Sequence, residues 1–239
     1  MLPPMGLKML TSEPSRTGAP YSAREVSTSV QINPDGTKGP VSGPTRYIDQ
    51  ETVTYRDSLG RVRNERPGIA AMQLPFFKII TIEDPVAGYL YFLDTTNHVA
   101  HRMALPADRP APVAAADEIP MAPAHNTTET VGPGITRTVE ALGPAELFGV
   151  ATIGRRTTTT YGPDSQTGKD HPVTTTMEIW RAPALGIIVS TRNINPASVE
   201  STTTTTELKT TEPDPALLQP PPGYKIEDES SPFTIQIPR

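Results

Sequence analysis

Beginning at Arg24 the chain alternates with a period of two. Glu25, Ser27 and Ser29 interleave with Val26, Thr28 and Val30, the pattern of a half-buried strand. Asn33-Pro34-Asp35-Gly36 ends that strand with turn chemistry, since Gly accepts a positive φ at no steric cost. Thr45 to Arg56 and Arg61 to Arg66 make a predicted hairpin about Asp57-Ser58-Leu59-Gly60, with Asp at the first turn position and Gly at the last. Pro67 to Pro75 is a break in which Ile69-Ala70-Ala71-Met72 has room for one helical turn. Phe76 to Glu83, Tyr89 to Asp94 and His98 to Leu105 follow as a three-strand meander. Connections this short exclude parallel crossovers, which take about a dozen residues or more.

The alternation stops at Pro106 and resumes near Thr136. The stretch between, 106–130, is rich in Pro and Ala and reads as a long surface loop. Thr136 to Leu142 is the next strand, and Gly143-Pro144-Ala145-Glu146 is the expected turn after it. Leu147 to Tyr161 and Val173 to Trp180 pair around the polar loop 162–170. Arg181 to Gly186 turns the chain into Ile187 to Asn193, and Val199 to Leu208 is the last long strand. Pro213 to Pro222 is extended. Ile226 and Phe233-Thr234-Ile235 supply an edge piece or a loose end. The resulting map is an N-terminal flexible arm over 1–22, a single β domain over 23–227 and a C-terminal tail over 228–239.

Composition sharpens this picture in three ways. Pro is 28 of 239 residues, roughly twice the usual ~5%, and each interior Pro costs a helix about 3 kcal/mol. Long helices are therefore excluded and the fold class is all-β, an antiparallel meander. No apolar run reaches the length of about 18 residues that a membrane-spanning helix needs. The net charge of −5 argues against nucleic acid as a partner. Cysteine is absent, which removes disulfides, thiolate metal sites and thiol nucleophiles. The first 21 residues lack a continuous apolar core, so a secretory signal is absent from the given chain or has been removed.

Candidate chemistry is sparse. Asp94 and His98 would share a face of an unbroken strand and form the best acid–base or metal pair available. Nothing nearby supplies the third ligand that most such sites need. Asp49, Glu51 and Asp57 beside Arg56, Arg61, Arg63 and Arg66 read as ion pairs of a hairpin. No Gly-x-Ser-x-Gly turn and no phosphate-binding Gly loop is present. We therefore expect no enzyme, no catalytic residue, no metal and no cofactor. Asn126-Thr127-Thr128 matches a glycosylation sequon, a weak three-residue signal. The runs Thr157–Thr160, Thr174–Thr176 and Thr202–Thr206 each fall on a predicted strand, where stiff β-branched side chains form cross-strand ladders.

In order, the second half reads Leu142-Gly143, Leu147-Phe148-Gly149-Val150-Ala151-Thr152, Met177-Glu178-Ile179-Trp180, Leu185-Gly186-Ile187-Ile188-Val189 and Glu212 to Ile226, ending in Pro220-Pro221-Pro222-Gly223-Tyr224. This layout, over roughly 136–227, resembles bacterial envelope proteins of the outer-membrane lipoprotein carrier superfamily. The resemblance implies a strongly curved antiparallel sheet shaped as an open half-barrel, a periplasmic or cell-surface location, and a hydrophobic or acylated ligand such as a lipid or an acylated protein. No segment between 24 and 227 has the period of an amphipathic helix, so the helical lid of that family is not expected. The large apolar groups available to line a groove are Phe76, Phe77, Tyr89, Tyr91 and Trp180; core packing is the competing role. Alternation puts Trp180 with Glu178 and away from Met177 and Ile179. This leaves Trp180 either at the rim over the Pro183 turn or in the groove. The alternative function is a structural subunit of an extracytoplasmic assembly, pairing with other envelope proteins through sheet edges and extended arms.

Overall fold

The computed structural model describes residues 14–33, 35–40, 50–67, 78–115, 126–168, 171–196 and 199–235. The protein is almost all β, built on curved antiparallel sheet that does not close into a barrel. No α-helix occurs among the described residues, as the proline load requires. None is long and apolar enough to cross a membrane. The expected helical turn at Ile69–Met72 and the start of the strand expected from Thr45 lie outside the described residues.

The chain divides into two compact units. The first comprises the described residues within Met1–Arg24, Glu51–Asp117 and Glu207–Arg239. Its main strands are most of β4 (Gln50–Arg56) and all of β5 (Val62–Pro67), β6 (Lys78–Asp84), β7 (Tyr89–Asp94), β8 (Val99–Ala104) and β16 (Lys225–Asp228), in the order β4-β5-β6-β7-β8-β16. Neighbours pair antiparallel except β16, which runs parallel to β8. The register aligns Glu65, Ile80, Leu93 and Ala100 in one row and Arg63, Ile82, Tyr91 and Arg102 in the next. Side chains of one row share a face, so Ile80, Ile82, Tyr91, Leu93 and Ala100 condense into a core, with Tyr89 and Tyr224 against it.

Part of this unit is closed by its C-terminal segment. Asp214 accepts from the Ala216 amide at 2.9 Å and caps a short 3-10 helix, Pro215–Leu218. Pro suits the first helical position because its missing N–H has no partner there anyway. Leu218 is driven to 1% exposure, and the Leu217 carbonyl accepts from Arg63 Nη1 at 3.3 Å. At the other end, β1 (Arg16–Thr17) pairs parallel with β9 (Val113–Ala114). Arg56 donates Nε and Nη2 to the Ala19 carbonyl at 3.0 and 2.7 Å and lies over the Tyr21 ring.

The second unit comprises the described residues within Glu25–Gln50 and Glu118–Thr206. It holds β10 (Thr127–Gly132), β11 (Ile135–Leu147), β12 (Val150–Tyr161), β13 (Val173–Ala182) and β14 (Ile187–Asn195), and most of β15 (Val199–Lys209) and β2 (Tyr21–Ile32), in the order β10-β11-β12-β13-β14-β15-β2. β3 (Lys38–Pro40) pairs with β2.

One turn is displaced from its expected place. Gly143 to Glu146 lie inside β11, and the chain reverses at Phe148-Gly149, with φ of 54° and 75°. Consecutive positive φ values are those of a type I′ hairpin turn. Gly143 uses its positive φ of 78° at a register shift between Ala141 and Gly143 instead, where an extra residue bends the strand. Among the described residues β10 reaches no further along β11 than Val139, so Pro144 lies past the β10 pairing, at a strand margin where a missing N–H is tolerated.

Candidate functional site: a groove on the second unit

The Thr runs come together as the alternation predicts. Thr158, Thr159 and Thr160 stand opposite Thr176, Thr175 and Thr174. The third run is placed differently: Thr202, Thr203 and Thr204 face Arg192, Thr191 and Ser190. Because successive side chains alternate between faces, these runs divide the sheet into two unlike surfaces.

One surface is polar and charged. Glu140, Arg156, Glu178, Arg192 and Thr202 form a single cross-strand row. Arg156 lies 3.8 Å from Glu140 and 3.1 Å from Glu178. Hydroxyl pairs Thr128–Thr138 at 3.1 Å and Thr160–Thr174 at 3.2 Å continue this face. Beyond the row, Arg192 and Lys38 both engage Glu200. Lys38, and after it Arg192, hold the Glu200 carboxyl below the usual range. Glu25 on β2 is pushed the other way, upward, by burial.

The other surface carries an open groove of about 680 Å³. Its central row is Val139, Thr157, Met177, Asn193 and Ser201, each directly opposite the next across β11 to β15. Val199, opposite Asn195 on the same face, extends the apolar lining, and Glu129, Arg137 and Arg155 add charge. Met177 is 39% exposed in the middle of that row. An exposed methionine offers a flexible, polarisable surface that adapts to irregular apolar ligands.

Of the residues expected to line a groove, Phe76 and Phe77 lie outside the described residues. Tyr91 is buried in the first unit's core, and Tyr89 packs beside it with ring centroids 6.2 Å apart and Arg102 over its face. Trp180 belongs to the second unit but shares the face of Glu178, opposite Met177. It sits across from Gly154, and a Cβ on that glycine would lie 2.7 Å from the indole ring. The indole thus covers a glycine of the neighbouring strand. Tyr89, Tyr91 and Trp180 are all absent from the groove lining.

The Asp94–His98 pair does not form on one strand. β7 ends at Asp94, whose carboxylate accepts from the Thr96 and Asn97 amides at 3.0 and 2.9 Å and from Asn97 Nδ2 at 3.0 Å. Asp94 is therefore the cap of a turn, and His98 leaves that turn at φ 53° with its ring edge-on to Tyr224. Of the lining, local pattern marks the Thr runs and puts Met177 on the face away from Trp180; Val139 and Val199 carry no such signal and join them only through register between distant segments.

No protein-family model and no curated protein matches the sequence. Among solved structures, the chain is similar to LprF from Mycobacterium bovis, at 12% identity over 82% of this chain and 90% of that one, with a TM-score of 0.31. It is also similar to a protein of Parabacteroides distasonis assigned as a lipoprotein, at 10% identity over 83% and 98% of the two chains, with a TM-score of 0.30. Likeness at this level carries no argument about the ligand.

Proposed function

We propose that the protein is a non-enzymatic binding protein of the bacterial envelope that holds the apolar part of a lipid or acylated protein in the second unit's groove. The observation that carries this reading is the row Val139–Thr157–Met177, with Val199 further along the same face: apolar and methyl-bearing side chains left open on a sheet face, Met177 the most exposed of them. The groove's volume falls within the roughly 300–1,000 Å³ of small-molecule sites. Arg137 and Arg155 on its lining suit a ligand whose polar end is anionic. The resemblance in motif order to the lipoprotein carrier superfamily supports an extracytoplasmic setting.

Native mass spectrometry and fluorescence displacement with palmitate and lysophosphatidylglycerol test this reading. We expect both to bind, and Met177→Asp to weaken binding by about tenfold or more, the scale of one buried apolar side chain, with an unchanged circular dichroism spectrum. Absence of binding to either amphiphile by the wild-type chain would overturn it. A second reading is favoured by one observation: among the described residues β10 ends the strand order, and Thr127–Val131 are all exposed along it. That edge has the form needed to receive a strand from another subunit. Concentration-dependent self-association or capture of an envelope protein, lost on Thr128→Pro, distinguishes the two.

A further inference from the structure

The pairing of β16 with β8 places Glu227 directly opposite His101. Two residues further along, Glu229 returns to the same side, its Oε1 2.7 Å from His101 Nδ1. One imidazole nitrogen and one oxygen from each carboxylate lie within 4.8 Å of one another. The imidazole is fixed from behind: Phe233 stacks on it at 4.5 Å and 12°, and His101 is only 7% exposed. Both glutamates are half-buried, which leaves a path from solvent. Lys225 Nζ donates to one oxygen of Glu227, Oε1, at 2.6 Å, and a carboxylate carries lone pairs enough to accept this bond and still bind an ion.

We propose that His101, Glu227 and Glu229 form a binding site for a divalent transition metal of the zinc class. One imidazole and two carboxylates, with a water in the fourth position, make a donor set such ions accept at about 2.0–2.2 Å in tetrahedral geometry. Tetrahedral donors at those distances are about 3.3 Å apart. The His101–Glu229 contact of 2.7 Å therefore has to open by a few tenths of an ångström as the ion replaces the proton between them. Phe233 holds the ring plane while this happens, the orienting role that an outer shell plays in metal sites. The ion joins β8 to the segment 225–229, so its structural effect is to staple β16 to the sheet edge.

The test is titration of the full-length, chelator-treated chain with Co²⁺, read by its visible d–d absorption, and with Zn²⁺, read by calorimetry. We expect a single ion per chain and a tetrahedral-type cobalt spectrum. His101→Gln should weaken binding by about 100-fold or more, since even outer-shell losses cost 10–100-fold. Glu227→Gln, an isosteric change at a half-buried position of the end strand, should weaken it at least tenfold with an unchanged circular dichroism spectrum. Absence of Co²⁺ and Zn²⁺ binding in the wild-type chain overturns the proposal. So does binding that survives both His101→Gln and Glu227→Gln unchanged, because the ion then sits elsewhere.

Discussion

Replacing Gly154 by Val tests whether the Trp180 indole lies over its neighbour strand. A Cβ built at Gly154 falls 2.7 Å from Cη2 and Cζ3 of Trp180 and 2.8 Å from Cε3, whereas carbon atoms in contact prefer about 3.5–4.0 Å. The ring must withdraw by about 1 Å, and overpacking of this kind costs about 1–3 kcal/mol. Removing a strand-interior glycine returns about 0.5–1 kcal/mol through backbone entropy. Gly154→Val should therefore destabilise by about 1–2 kcal/mol. Trp180→Ala removes a half-buried indole and should cost about 2–3 kcal/mol, below the usual ~3–5 for a fully buried one. In the double variant the valine meets no ring. The two effects should then fall short of additivity by about 1–2 kcal/mol, within the range of residues in contact. Urea unfolding of all four proteins, followed by circular dichroism, measures the cycle. Trp180 is the sole tryptophan, so its fluorescence also reports ring displacement in Gly154→Val. Strict additivity, with Gly154→Val as stable as the wild type and its emission unshifted, would refute the packing.

Two further outcomes follow from burial. Because burial pushes the Glu25 carboxyl upward, the folded state holds this proton more tightly than the unfolded chain. The resulting penalty is absent at acid pH and grows as pH rises past the ordinary glutamate range. Glu25→Gln should therefore be the more stable protein at pH 7, with the gap closing as pH falls; parallel urea curves at pH 4 and 7 check this. Leu218→Ala empties the contact that seats the 3-10 helix on the first unit and should cost about 2–4 kcal/mol, measured by the same unfolding assay with unchanged secondary structure.

What could be read from the sequence was what is local. Asp57 and Gly60 mark their turn because the chemistry is complete within five residues: Asp57 accepts the Leu59 and Arg61 amides at 3.1 and 2.8 Å, and Gly60 takes φ 82°. The Thr runs announced strands, and two of them pair. The misplaced turn at Gly143–Glu146 shows where local signals fail. Gly and Pro there serve a bulge and a strand margin, while the real reversal uses Phe148 at a positive φ, which no propensity would suggest. Asp94 and His98 share a face only on an unbroken strand, and Asp94 itself ends that strand. The groove row required the register of five strands, and the His101 cluster required residues 126 to 128 positions apart, beyond the reach of any periodicity.

The parallel pairing of β16 with β8 also dictates an order of assembly. Arg102 and Asp228, joined at 2.6 and 2.8 Å, are 126 residues apart. The whole of the second unit's Glu118–Thr206 segment lies between them in the chain. During synthesis, at about 5–20 residues per second, β8 emerges long before the strand that covers it. For several seconds the nascent chain carries an unprotected sheet edge, the kind that recruits foreign strands. Contacts of such long range also slow folding, since loop closure precedes the gain from pairing. The first unit is therefore the last to be completed although its β4 to β8 are made before β10 to β15, and a ribosome-bound chain halted before Lys225 would be the aggregation-prone form of this protein.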